Sequence, residues 1–229
     1  MINNKPLETV FGTDGVDWHW QDGGVVQIDK KAASLKLHDL TGFEGRCDAV
    51  LLSSDLDDTP PDDAPAPWRR KLLGLPEAPV PEGNYDLVVV GGGIAGMTTC
   101  LSAARLGVKV ALIHDRPVTG GASSPESGVG LTGQYCLEPY PNLGLMTHEI
   151  SWSYGKSKKR SFENATDAAA YQLRALQEAD VALFINYHAD EVFMEDGRIR
   201  GVAATSIVDS NRIRVNGKWF ADTTGDGCI

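Results

Sequence analysis

Residues 84–229 predict an α/β fold built around a parallel sheet, and two observations carry that prediction. A strand, a glycine-rich turn, a helix and a second strand follow one another without interruption over residues 85–113. Farther on, short alternating segments are punctuated by Glu195-Asp196-Gly197 and Asn216-Gly217, the turn chemistry of antiparallel hairpins. A Pro- and Asp-rich stretch, residues 57–83, separates this part from a thin front segment, residues 1–56.

The first strand is Tyr85-Asp86-Leu87-Val88-Val89-Val90, a continuous apolar run of the kind that a parallel strand buried on both faces shows. It ends directly at Gly91-Gly92-Gly93-Ile94-Ala95-Gly96, after which residues 97–106 carry Ala, Leu and Cys at helical spacing. Residues 108–113 then return as a second strand. The unit matches the dinucleotide-binding fingerprint of a Rossmann-type domain, in which each glycine has a mechanical task. Gly91 permits the tight turn, Gly93 lets backbone approach a pyrophosphate, and Gly96 lets helix and strand pack closely. The helix start offers free N–H groups and the positive end of its dipole to phosphates. An acceptor for ribose hydroxyls belongs at the end of the second strand, about 20 residues on. His114 and Asp115 occupy that position; the charge on Asp115 makes it the expected acceptor.

Residues 164–179 have Ala168, Ala169, Leu173 and Leu176 at helical spacing with Thr166 or Asp167 placed as N-cap, which predicts a packing helix. Residues 181–186 read as a third parallel strand. Residues 190–194, 199–205 and 213–215 read as a three-stranded antiparallel meander, and residues 219–222 as a short closing strand.

In the front segment, residues 25–28, 34–37 and 49–52 look like antiparallel strands of a partial β-sandwich. Stable sandwiches of this kind have about seven strands, so the chain is expected to be a fragment. Trp18-His19-Trp20 could stack a carbohydrate, but packing is the favoured reading. Within the linker, residues 68–73 are expected to form a short helical turn.

A formal net charge of −10 repels polyanions, and the only basic run, residues 156–160, reads as a solvated loop, so no nucleic-acid partner is expected. No stretch reaches the ~20 consecutive apolar residues of a membrane span, and the first residues lack a secretory signal pattern. Cys47, Cys100, Cys136 and Cys228 are scattered, so neither a metal site, an iron–sulfur cluster nor a disulfide scaffold is expected.

Residues 115–124, with paired Gly120-Gly121, resemble the loop after the second strand in FAD-dependent oxidoreductases. Residues 139–144 resemble the same bacterial family, and Asp222-Thr223-Thr224-Gly225-Asp226-Gly227 resembles its second flavin motif. Residues 38–49 resemble the end of a β-sandwich module that precedes the flavin domain in some of its members. The resemblance, to the glutathione-reductase-like type, covers about residues 84–229. It implies FAD as cofactor, a small-molecule substrate that could be sugar-derived, and hydride transfer in the full-length protein. By the same resemblance Arg116, Gly120, Gly121, Thr224, Gly225 and Asp226 join the glycine turn in holding the cofactor, and backbone near Val192 contacts adenine. Most members carry Glu where this chain has His114. No catalytic base is named. Tyr135, Cys136, His148 and Glu149 could border a flavin, with packing or surface roles favoured. Two other readings stay open: an NAD(P)-dependent dehydrogenase, and a non-catalytic carbohydrate-binding module with an inert Rossmann domain.

Overall fold

The computed structural model describes all residues except 30, 41, 43–45, 63–64, 134–136, 143, 153–161, 226 and 228. The chain divides into two units, Met1–Gly74 and Leu75–Ile229. In the first unit the described residues form one helix, α1 (Pro65–Leu72), where a short helical turn is expected. The expected strands at residues 25–28, 34–37 and 49–52 do not form, apart from an isolated bridge between Leu35 and Ile2. An alternating pattern becomes a strand only against a hydrogen-bonded neighbour. Here Val25 and Leu37 are 79% and 69% exposed, so no apolar face is covered. The expected partial β-sandwich is therefore not built by the described residues of 1–56. Trp20 is a packing residue: its indole N–H donates to the Pro61 carbonyl at 3.1 Å and its ring meets Trp68 edge-on at 5.8 Å.

The second unit contains β1 (Val80–Val90), α2 (Ile94–Arg105), β2 (Val110–His114), a 3-10 turn (Gly121–Ser123), α3 (Leu145–Ile150), α4 (Ala165–Glu178), β3 (Ala182–Ile185), β4 (Tyr187–Glu195), β5 (Arg198–Ser206) and β6 (Arg212–Asp222). All six strands form one sheet in the order β3-β2-β1-β6-β5-β4. The pairs β3–β2, β2–β1 and β1–β6 are parallel, and β6–β5 and β5–β4 antiparallel. The chain leaves β1 toward β2 on one side while β6 lies on the other, so strand order reverses at β1. Ligands of open α/β sheets bind beyond the carboxyl ends of strands at such a switch point.

Side-chain alternation explains the layers. Leu87 and Val89 of β1, with Val110 and Leu112 of β2, meet Met97, Cys100 and Leu101 of α2, Ile150 of α3 and Leu176 of α4. Val88, Val90, Ala111 and Ile113 point the other way, onto Ala189, Val202, Ala204, Ile213 and Val215 of the antiparallel strands. The continuous apolar run in β1 is thus a strand covered on both faces.

Two expectations are corrected. Residues 213–215 and 219–222 are one strand, because Asn216 and Gly217 continue the ladder with Asn84 and Tyr85 of β1 instead of turning. Gly217 is required by closeness: a Cβ there would lie 2.8 Å from Val88 Cγ2. Helix α4 is capped by Asn164, whose side chain accepts from the Asp167 N–H, and not by Thr166 or Asp167. On α4 Leu173 is 37% exposed while Gln172 is 1% exposed. Gln172 can be buried because it accepts from the Thr119 hydroxyl at 2.9 Å and donates to the Ile150 carbonyl at 2.7 Å.

Cys100 lies fully buried on α2, and desolvation pushes its thiol up to about 12. The thiolate is the reactive form. Iodoacetamide at mildly alkaline pH is therefore expected to label the exposed Cys47 and spare Cys100, read by peptide mass mapping. Equal labelling of both would place that face of α2 in solvent.

Candidate functional site

The carboxyl end of β1 runs into the glycine turn, where three glycines meet three different constraints. Gly91 has φ +104°, and a Cβ there would lie 2.6 Å from the Thr223 carbonyl oxygen. Gly96 faces back on the turn, with a would-be Cβ 1.8 Å from the Gly91 oxygen and 2.6 Å from Thr223 Oγ1. Gly93 is different: it is the N-cap of α2 at φ −71° and ψ −178°, and the nearest atom to its would-be Cβ is Gly121 Cα at 3.9 Å. That distance is ordinary van der Waals contact, so a Cβ would be tolerated there, at the start of a helix with no side-chain cap. First-turn N–H groups have no intrahelical acceptors, so Ile94, Ala95 and Gly96 present donors and the positive end of a 12-residue helix.

The loop after β2 closes over this turn. Gly120 N–H donates to the Gly92 carbonyl at 2.9 Å, and Gly93 and Gly120 form a parallel bridge. Gly120 and Gly121 have φ of +113° and +57°, the left-handed conformations that favour glycine. The fold thus brings together Gly91, Gly92, Gly93, Gly96, Gly120 and Gly121. Arg116 is exposed and paired with Glu126 at 3.0 Å.

His114 ends β2 and is 5% exposed. Its Nδ1 accepts from the Gly92 N–H at 2.9 Å, and its Nε2 lies 2.9 Å from the Val118 carbonyl. Asp115 is half exposed, with Oδ1 3.7 Å from His114 Nδ1 and Oδ2 3.7 Å from His188 Nδ1. His188, near the start of β4, has no sequence signal that marks it, since it reaches Asp115 because β3, which runs directly into β4, ends with Ile185 paired to His114. Val192 lies four residues farther along β4, ~13 Å at strand rise, paired with Val202.

The second motif is held against the first by Thr223. Its N–H donates to the Val90 carbonyl at 2.8 Å, and its hydroxyl reaches the Val90 and Gly91 carbonyls, each at 2.8 Å. Beside it, Asp222 accepts from the Thr224 N–H, the Thr224 hydroxyl and the Ile229 N–H. Those bonds, the Thr224 N–H foremost, hold the Asp222 carboxyl below the usual carboxylate range. A lowered value means that this turn is fully tied above the ordinary carboxylate range and loosens as pH falls through the folded value. Thr223 lies within the motif quoted from the sequence, but its contact with the glycine turn carries no sequence signal. Thr223→Val is expected to cost about 1 kcal/mol, a melting temperature lower by roughly 2–4 °C. An unchanged thermal melt would show that the hydroxyl holds nothing.

Other expected positions sit elsewhere or beyond view. Thr224 and Gly225 follow β6 next to the turn, while Asp226, Tyr135 and Cys136 lie outside the described residues. Glu149 is engaged between helices: Arg105 of α2 donates to both its oxygens and Tyr171 of α4 donates at 2.9 Å. The Arg105 hydrogen bonds hold the Glu149 carboxyl below its usual range, in keeping with a packing role. His148 lies beside it on α3. No helix among the described residues is long and apolar enough to cross a membrane.

A β-α-β unit with a glycine turn at its switch point and an antiparallel meander on the second face defines a Rossmann-type dinucleotide-binding domain. The chain belongs to the FAD dependent oxidoreductase family, which matches residues 86–229, more than half of its length. It is 28% identical over 137 residues to a digeranylgeranylglycerophospholipid reductase of Picrophilus torridus, covering 58% of this chain and 34% of that protein. It is 29% identical over 103 residues to a vinyl phenol reductase of Lactiplantibacillus plantarum, covering 43% of this chain and 21% of that protein. Among solved structures, a geranylgeranyl bacteriochlorophyll reductase-like protein of Thermoplasma acidophilum matches with 21% identity and a TM-score of 0.41, over 61% of this chain and 37% of that one. The chain spans about a third or less of the length of these curated relatives.

Proposed function

We propose that residues 84–229 are the portion of an FAD-dependent oxidoreductase that holds the ADP half of FAD, supporting hydride transfer to or from a small-molecule substrate in the whole protein. The observation that carries this reading is the start of α2, where the N-cap is a glycine and no side chain caps the free N–H groups. A pyrophosphate placed there meets backbone N–H groups and the helix dipole. Gly91, Gly92 and Gly96 shape the turn, Ile94 and Ala95 supply N–H donors, and Gly120 and Gly121 line the facing loop. Asp115 accepts from the ribose hydroxyls, with His188 beside it. Thr224 and Gly225 follow β6 toward the flavin side of the cofactor, Asp226 of the same motif is a further candidate contact, and backbone near Val192 is the candidate adenine contact. When bound, the flavin supplies the redox chemistry. The residues of this chain bind and orient it: the glycine turn fixes the phosphates and Asp115 fixes the ribose.

Titration of the purified chain with FAD, followed by flavin fluorescence and repeated with ADP and NAD as competitors, tests the reading. Saturable FAD binding displaced by ADP is the expected result. Preferential binding of NAD would favour a nicotinamide-dependent dehydrogenase instead. Asp115→Ala is expected to weaken FAD about tenfold, the loss of a charge-assisted hydrogen bond. An unaltered Kd would remove Asp115 from the ribose site.

A further inference from the structure

Both ring nitrogens of His114 are already engaged within the chain, and their partners fix which one carries the proton. A backbone N–H can only donate, so Nδ1, 2.9 Å from the Gly92 nitrogen, must present its lone pair. A carbonyl can only accept, so Nε2, 2.9 Å from the Val118 oxygen, must carry the hydrogen. The ring is buried, so water does not compete for either end. It also lies flat beneath the turn: a Cβ on Gly92 would sit 2.6 Å from two ring carbons, so His114 is the reason that position 92 must be glycine. The Gly92 carbonyl is held in turn by the Gly120 N–H at 2.9 Å. Gly92, His114, Val118 and Gly120 thereby close a hydrogen-bonded circuit that joins the glycine turn to the facing loop.

We infer that His114 is a positioning residue and not a ribose ligand: a neutral, two-ended strut that holds the glycine turn against the facing loop, with Gly93 touching Gly121, and so sets the helix start at which the pyrophosphate is proposed to sit. The inference rests on the reading of that helix start as the ADP site. It accounts for a histidine in a place where a carboxylate would be expected. A carboxylate can accept from Gly92 but has no proton to offer Val118, and would set two acceptors against each other. A carboxamide has one acceptor and one donor, as the neutral imidazole does.

The test compares FAD affinity in His114→Gln, His114→Glu and His114→Ala, with the melting temperature of each ligand-free variant as a folding control. His114→Gln is expected to stay within about threefold of wild type, while His114→Glu and His114→Ala weaken FAD about ten- to hundredfold. A ribose ligand would give the opposite order, with Glu binding as well as His or better, and that result would overturn the strut. Long-range 1H–15N correlation on the ligand-free wild-type chain provides a readout that needs no variant and no FAD. A single neutral Nε2–H tautomer of His114 supports the inference, and an Nδ1–H tautomer or an imidazolium overturns it. Wild-type protein that binds no FAD would count against the ADP-site reading, and the tautomer would still decide whether His114 braces the turn.

Discussion

Gly96→Ala is expected to unfold the site and lose FAD together. The added methyl would occupy a point 1.8 Å from the Gly91 carbonyl oxygen, which is backbone and cannot rotate away, and 2.6 Å from Thr223 Oγ1. Relief requires α2 to move off β1, opening the contact of Met97 and Leu101 with Val89 and Leu112. Overpacking of this kind costs roughly 3 kcal/mol, a fall in melting temperature of roughly 6–12 °C. Differential scanning calorimetry of the ligand-free variant reads this directly. A melting temperature within about 1 °C of wild type would mean that helix and turn do not approach as closely as described.

Gly93→Val is expected to separate binding from folding. Position 93 has ordinary extended dihedrals, and its would-be Cβ meets nothing nearer than 3.9 Å, so the branch carbon of a valine is accommodated and the ligand-free chain is expected to keep its fold. Valine is a poorer N-cap than glycine, which limits the change in melting temperature to roughly 4 °C. Its methyl groups, however, fill the space proposed for the pyrophosphate. FAD affinity is expected to fall at least about a hundredfold, ~2.7 kcal/mol. Isothermal titration alongside the melt distinguishes the outcomes: retained affinity would move the phosphates away from Gly93, and a collapsed melt would make the position structural.

The two glycines also show what could be read without coordinates. The glycine spacing and the apolar run before it are local features, so turn, strand and helix were legible from the residues alone. The tasks assigned to Gly91 and Gly96, a tight turn and close packing of helix on strand, agree with the contacts each one makes. What was not legible depends on long-range placement. Thr223 touches Gly91 across 132 positions of sequence, and no periodicity announces a hydroxyl that will meet a turn so far away. Gln172 occupies a helix position that hydrophobic spacing passes over, because its burial depends on Thr119 and Ile150 both being in reach. Asn216-Gly217 has the composition of a hairpin turn, yet the neighbouring strand β1 keeps it extended. In residues 1–56 the alternating runs have the pattern of strands but no ladder among the described residues. Pairing partners, unlike propensities, are not a local property.

Strand β6 joins these matters in one element. It is hydrogen-bonded to β1 from Val80 to Val90 on one side and to β5 on the other, and its end carries Thr223 onto the glycine turn. The antiparallel strands therefore cannot peel away as an independent appendage without disturbing the rail on which the turn is mounted. Amide protons of β5 and of β1 should escape to solvent through a shared opening, in the manner of a single cooperative unit. Substitutions on the meander face, such as at Val202 or Val215, would then be felt at the turn as a change in how often it comes undone, with its average shape unaltered.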